Sequence, residues 1–227
     1  MRSAPNHALA IERYRHHAAG YDATTHRMEQ VRMRAIRHLA LRPGDTVLDV
    51  ACGTGKSFEG LQERIGPAGR IVGVDQSPEM LAIAARRIHQ NGWRNVVLIE
   101  VLMEAARIPM AIDAVLFNYT HDVLQPATAL ANIFAHVRLG GRVVSAGIKL
   151  FPWWLAPLNI VAPAKAYPYT TTLSGLGRPW HLLEGCLADL DVESMFGGIA
   201  YVARGRFEPN LFPASALSFG NVSPQFP

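Results

Sequence analysis

Two acids, a pair of glycines and a histidine are spaced in this chain in a way that invites chemistry. Asp49 lies in the apolar run Thr46-Val47-Leu48-Asp49-Val50, and Ala51-Cys52-Gly53-Thr54-Gly55 follows it directly. Gly53 and Gly55 can take positive φ and let backbone N–H groups approach a ligand closely. A second acid, Asp75, ends the run Arg70-Ile71-Val72-Gly73-Val74-Asp75, 20 residues after Gly55. An acid in the position of Asp49 repels a pyrophosphate and welcomes an ammonium group. Asp75 can accept from both hydroxyls of a ribose. Farther on comes Asn118-Tyr119-Thr120-His121-Asp122. Imidazole titrates near neutrality, so His121, with Asp122 beside it, can act as a general base or steer a substrate oxygen. The competing reading of His121 is a plain cap on the helix that follows.

These residues need strands that end at one edge of a sheet. Buried parallel strands read as short continuous apolar runs. The chain offers five: 46–51, 70–75, 95–101, 114–117 and 143–148, with Ile112-Asp113 read as a turn. Helices are expected between them at 57–65, 77–90 (Ser77 as N-cap, Pro78 at the first helical position) and 126–137. A helix at 180–187 and strands at 191–195 and 199–206 complete the pattern. Five strands alternating with helices predict an α/β fold, a Rossmann-like doubly wound sheet of seven mainly parallel strands. Ahead of it, helices near 8–19 and 25–41 predict an N-terminal helical cap. The single domain is expected over 1–206, divided into the cap (1–42), a cofactor-binding core (43–149) and an inserted lid after strand 5 (150–181). A tail follows at 207–227.

The spacing leaves two cofactors to separate. A dinucleotide loop wants G-x-G-x-x-G, but its third glycine position is Phe58, and Asp49 carries the wrong charge for phosphate. The loop instead resembles the D-x-G-x-G-x-G loop of class I S-adenosylmethionine-dependent methyltransferases, with Ala51 in place of the first glycine. With the Asp75 strand end, the Asn118 turn, Leu139-Gly140-Gly141 and Ala18-Ala19-Gly20-Tyr21-Asp22, it is most similar to the ubiquinone/menaquinone-biosynthesis-like branch acting on small molecules. The resemblance implies S-adenosyl-L-methionine as methyl donor and S-adenosyl-L-homocysteine as product. It assigns Tyr21, Asp49, Ala51, Cys52, Gly53, Gly55 and Asp75 to the cofactor. Gln76 and Met80 fall beside the adenine, Met103 and Glu104 near its ring, and Asn118 at the amino-acid end. Leu102 stands where the family commonly has an acid for the adenine amino group. Base-amino methyltransferases carry a D/N-P-P-Y/F/W turn that shapes a flipped-base pocket. Here Asn118-Tyr119 lacks the prolines, which argues against that substrate.

Composition limits the partners. The 227 residues are 49% hydrophobic and 18% charged, as in a globular protein. The formal charge is +4, and residues 1–42 hold eight arginines against Glu12, Asp22 and Glu29. That basic end raises an RNA-binding or RNA methyltransferase-like protein as one alternative, and an NAD-dependent oxidoreductase is the other. The reading adopted expects a small-molecule substrate and no nucleic acid, in a monomer or homodimer. Residues 1–17 lack an apolar signal core and no run reaches about 18 apolar residues, so a cytoplasmic location is expected, with peripheral membrane contact left open. Cys52 and Cys186 have neither disulfide nor C-x-x-C spacing, and no metal is expected. The lid carries Trp153, Trp154, Tyr167, Tyr169 and Trp180 among prolines, a wall for a flat, largely apolar or aromatic acceptor. Tyr119, Lys149, His181 and either Arg32 or Arg34 are its polar partners, the arginine for an acidic head group.

Overall fold

The structure, a computed structural model, describes residues 5–12, 28–151, 159 and 171–209. Tyr21, Trp153, Trp154, Tyr167 and Tyr169, and with them most of the expected lid and tail, lie outside the described residues. Seven strands form one sheet: β1 (Thr46–Val50), β2 (Arg70–Asp75), β3 (Val96–Glu100), β4 (Ile112–Asn118), β5 (Val137–Ile148), β6 (Leu187–Met195) and β7 (Ala200–Phe207). Their spatial order is β3-β2-β1-β4-β5-β7-β6. β1 to β5 run parallel, and β7 enters antiparallel between β5 and β6. The order reverses between β1 and β4, and a crevice opens there at the carboxyl ends of the strands.

Among the described residues, the helices α1 (Glu29–His38), α2 (Phe58–Ile65), α3 (Pro78–Asn91) and α4 (Ala127–Phe134) cover the sheet. Alternation along the strands divides the core into two layers. Leu48, Val50, Val115 and Phe117 pack with Leu130, Ile133 and Phe134 of α4. Val47, Ala114 and Leu116 face the other way, onto Val31, Ala35 and Ile36 of α1 and Phe58, Leu61 and Ile65 of α2. Asp49 and Asn118 share the parity of this second layer, so both look toward α1 at the strand ends. Ser77 caps α3 as its sequence signature implies, accepting from the Met80 N–H at 3.3 Å, with Pro78 at the first helical position.

Several boundaries differ from the sequence expectation, among them the end of α1 at His38 and the start of β6 at Leu187. The Ile112-Asp113 pair is the start of β4, and its Ile112 N–H donates to the His136 carbonyl at 2.8 Å, which ends α4 early. β5 begins at Val137 because Gly140, at φ +71°, carries the chain through a register shift against β4, and the pairing resumes at Arg142. The segment expected as a helix at 180–187 is a 3-10 turn, His181–Gly185, since Leu187 is already paired with Phe207.

Candidate active site

The glycine loop turns sharply because three of its residues lie in the left-handed region. Ala51 has φ +49°, Gly53 +56° and Gly55 +72°. The Cys52 N–H donates to the Val74 carbonyl at 3.0 Å, and the Gly53 N–H donates to Asp75 Oδ2 at 2.8 Å, so β2 holds the loop from both ends. Gly55 has a packing reason as well: a Cβ there would come within 2.5 Å of the Phe58 ring. Ala51, the departure from the glycine pattern, is strained where it stands. An alanine in this conformation costs about 1–2 kcal/mol, against roughly 0.4–1 kcal/mol of extra unfolded-state entropy for glycine. Ala51→Gly is therefore expected to stabilise the protein by about 0.5–1 kcal/mol, read as a higher urea midpoint with unchanged slope.

The two strand-end acids sit in different surroundings. Asp49 is 2% exposed, and its Oδ2 has no hydrogen-bond partner among the described residues. Burial pushes its pKa up to about 7, opposed by the Arg32 guanidinium and by a hydrogen bond from Ser57, and reinforced by the charge of Asp75. Asp75 is also raised by burial, but backbone N–H groups of Ser77, Gly53 and Gln76 hold it down. Its carboxylate accepts from Ser77 N–H at 2.9 Å, so part of its capacity ties the loop to the start of α3. Burial and the two carboxylates push the Cys52 thiol up, which makes it a neutral packing group and not a nucleophile.

Arg32 reaches this site from α1. It is 3% exposed, forms an ion pair with Glu29 and leaves Nε without a partner among the described residues. A buried guanidinium N–H and a buried carboxylate oxygen, both unsatisfied on one layer of the fold, suit the carboxylate and ammonium ends of an α-amino acid. Arg34, the alternative for an acidic head group, turns outward and pairs with Glu193 at 2.9 Å.

The remaining wall comes from the end of β4. Asn118 keeps its Oδ1 buried and without a partner among the described residues, and Tyr119 takes φ +62°, which swings the chain across the crevice. His121 and Asp122 then lie in the 3-10 turn His121–Leu124. Asp122 Oδ2 accepts from both the N–H (2.9 Å) and the hydroxyl (2.7 Å) of Thr171. That hydroxyl in turn accepts from the Asn6 N–H at 2.9 Å. Asp122 is thus an anchor for two segments that border the cleft.

These parts border one open cleft. Of the sequence candidates, Arg32, Asp49, Ala51, Cys52, Gly53, Asp75, Gln76, Met80, Met103, Glu104, Asn118, Tyr119, His121 and Asp122 all line it. Gly55 supports the loop from behind. Lys149 and Trp180 are not in its wall: the Lys149 ammonium lies 5.9 Å from the Trp180 ring centroid, and that ring packs on Tyr201. His181 turns its Nδ1 to the Arg178 carbonyl. Sequence reasoning missed Asn6 and His7, which line the cleft from the N-terminal side. The usable signal was Asn6 itself, whose Oδ1 accepts from the Leu9 N–H as an N-cap for the helical residues 7–12. His7 approaches Glu104 at 3.8 Å.

The sheet order and the loop have the arrangement of the class I S-adenosylmethionine-dependent methyltransferase fold. Residues 47–141 match the family model described as a methyltransferase domain. The chain is 32% identical over 120 residues to the demethylmenaquinone methyltransferase of Lactococcus lactis, covering 50% of this chain and 46% of that protein. The chain spans about a third to a half of the length of the first curated relatives it matches. Among solved structures, a chain from the complex of the Haloferax volcanii Trm112 methyltransferase activator with a methyltransferase superposes with a TM-score of 0.69 at 16% identity. That match covers 87% of this chain and 97% of that one. The geranyl diphosphate C-methyltransferase of Streptomyces coelicolor, solved with S-adenosyl-L-homocysteine, gives a TM-score of 0.61 at 18% identity over 80% of each chain. At these identities the structures establish the fold alone. S-adenosylmethionine is the cofactor of this class, and the unsatisfied Asp49, Arg32 and Asn118 atoms fit its amino-acid end. Among the described residues no helix is long and apolar enough to cross a membrane.

Proposed function

We propose that this chain methylates a small, largely apolar or aromatic acceptor, using S-adenosylmethionine bound along β1, β2 and β4. The observation that carries the reading is a set of buried polar atoms without partners among the described residues, Asp49 Oδ2 and Asn118 Oδ1 near the strand ends and Arg32 Nε on α1. Native proteins rarely leave such atoms dry, and a zwitterionic ligand end satisfies all three. Asp75 and Gln76 serve the ribose and adenine side. When bound, the cofactor supplies an electrophilic methyl group, so the protein's main task is to align the acceptor with it. Isothermal titration with S-adenosylmethionine and S-adenosylhomocysteine tests the reading. Absence of binding to either one rejects it.

The apolar character of the acceptor rests on Tyr119, which borders both the cleft and a second, almost wholly apolar groove. Ile148, Phe196, Ile199 and Ala200 form that groove with Met28, and Glu29 and Gln30 also border it. Phe196 is a large side chain left 51% exposed. The demethylmenaquinone and geranyl diphosphate relatives have names that fit an apolar acceptor. Phe196→Ser is expected to lower kcat/KM roughly tenfold for acceptors bearing an apolar tail. Tail-less analogues should be unaffected, and steady-state kinetics on matched acceptor pairs read the difference. The basic N-terminal helix lends little to an RNA reading, because Arg32 and Arg34 are both engaged in ion pairs.

A further inference from the structure

We infer that His121 Nδ1 takes a proton from the acceptor, and that the acceptor is therefore an O–H acid such as a phenol or enol. This rests on the methyl-transfer reading above and narrows its substrate class.

The argument begins with the tautomer. His121 Nε2 lies 2.8 Å from the Ser174 carbonyl oxygen. A carbonyl can only accept, so Nε2 carries the hydrogen and the neutral ring presents a bare lone pair at Nδ1. That nitrogen is buried and has no partner among the described residues, although His121 is part of the cleft wall. The preceding hydroxyl, Thr120 Oγ1, is likewise buried without a partner. A dry, unpaired acceptor is costly unless a ligand comes to it. A ligand hydroxyl can donate to Nδ1 and accept from Thr120.

The surroundings keep the ring neutral. Burial lowers the pKa of His121, and His181 lowers it further, while Asp122 and the Ser174 carbonyl pull it back up. Asp122 is itself held by Thr171, so it steadies the turn and the charge without moving a proton.

In the step itself, the acceptor O–H bond breaks and its proton passes to Nδ1, giving imidazolium. The oxygen lone pair forms the new O–CH3 bond, and the S–C electron pair returns to sulfur. The imidazolium afterwards loses its proton to water. A free amine or a carboxylate already has its lone pair available and needs no such base, so Nδ1 would be idle with either.

Two measurements on the full chain test this. With the protein saturated with S-adenosylhomocysteine and labelled at its histidines with 15N, His121 should show the Nε2–H tautomer. The Nδ1–H tautomer overturns the proposal. His121→Gln keeps an amide N–H for Ser174 but has no base at the δ position. Calorimetry should find its affinity for S-adenosylhomocysteine within about threefold of wild type. Turnover on a weakly acidic phenol should fall about 10²–10³-fold, and the loss should shrink below about tenfold for a phenol already ionised at the assay pH. Equal losses on both phenols, or no methylation of any O–H acid in a panel that includes amines and carboxylates, overturn it. A wild-type chain that binds neither S-adenosylmethionine nor its product instead fails the methyl-transfer reading at the calorimeter, and this proposal falls with it.

Discussion

Asp49→Asn is expected to weaken S-adenosylmethionine binding by about 10²–10³-fold while making the cofactor-free protein more stable. The first half follows from charge. A buried ammonium deprived of its carboxylate loses about 3–4 kcal/mol, and each 1.4 kcal/mol is a factor of ten in affinity. The second half follows from burial. The folded-state pKa of Asp49 is raised from 3.8 to about 7, so folding favours its protonated form. The site costs nothing below the unfolded value. The cost grows as pH rises from there toward about 7, and above 7 it stands in full, on the order of 2–4 kcal/mol. Asparagine is neutral at every pH and escapes it. Urea denaturation at pH 8 should show the variant more stable, and at pH 4 the gain should vanish.

The same shift sets how pH governs binding. An ammonium beside Asp49 lowers its pKa, so binding expels a proton whenever the free protein holds one. Affinity should therefore weaken as pH falls below about 7, approaching tenfold per unit. Titrations in two buffers of different ionisation enthalpy should report proton release at pH 6.5 for the wild type and none for Asp49→Asn. An affinity unchanged by the substitution would remove Asp49 from the site.

Phe58→Ala is expected to cost about 3–5 kcal/mol of stability, the usual range for emptying a buried phenylalanine site. Phe58 is 0% exposed and opens α2. Its ring lies against Gly55 and under Gly73, where added Cβ atoms would meet it at 2.5 and 3.0 Å. It also meets Trp93 edge to face, with centroids 6.5 Å apart. The side chain that breaks the dinucleotide pattern is thus the floor of the glycine loop. Removing it should loosen Gly53 and Gly55 and weaken S-adenosylhomocysteine binding together with the fold. A stability loss below about 1 kcal/mol by urea denaturation would show that the loop stands without it.

Much of the fold was legible in the chain itself. Parallel strands buried on both faces are continuous apolar runs, and their ends are marked by Asp49, Asp75 and Asn118, so the sheet and the cofactor crevice follow from local pattern. Ser77-Pro78 announced α3 for the same reason. Strand boundaries that depend on a partner were not legible. Leu139-Gly140-Gly141 looks like a loop until Ile112 pairs with Val137 and a bulge carries the strand through.

The candidate site divides along the same line. The acids, the glycines and the histidine could be picked out from the chain alone, because each is identified by its type and its position near a strand end. What those groups do to one another depends on how the chain packs. That packing buried Arg32 against the Asp49 layer and sent Arg34 to Glu193. It left Lys149 beside Trp180, outside the cleft wall. Asp122 became an anchor for Thr171, and Ser174, 53 residues away in the chain, selected the tautomer of His121. These assignments depend on burial and on partners distant in sequence, which a linear pattern does not record.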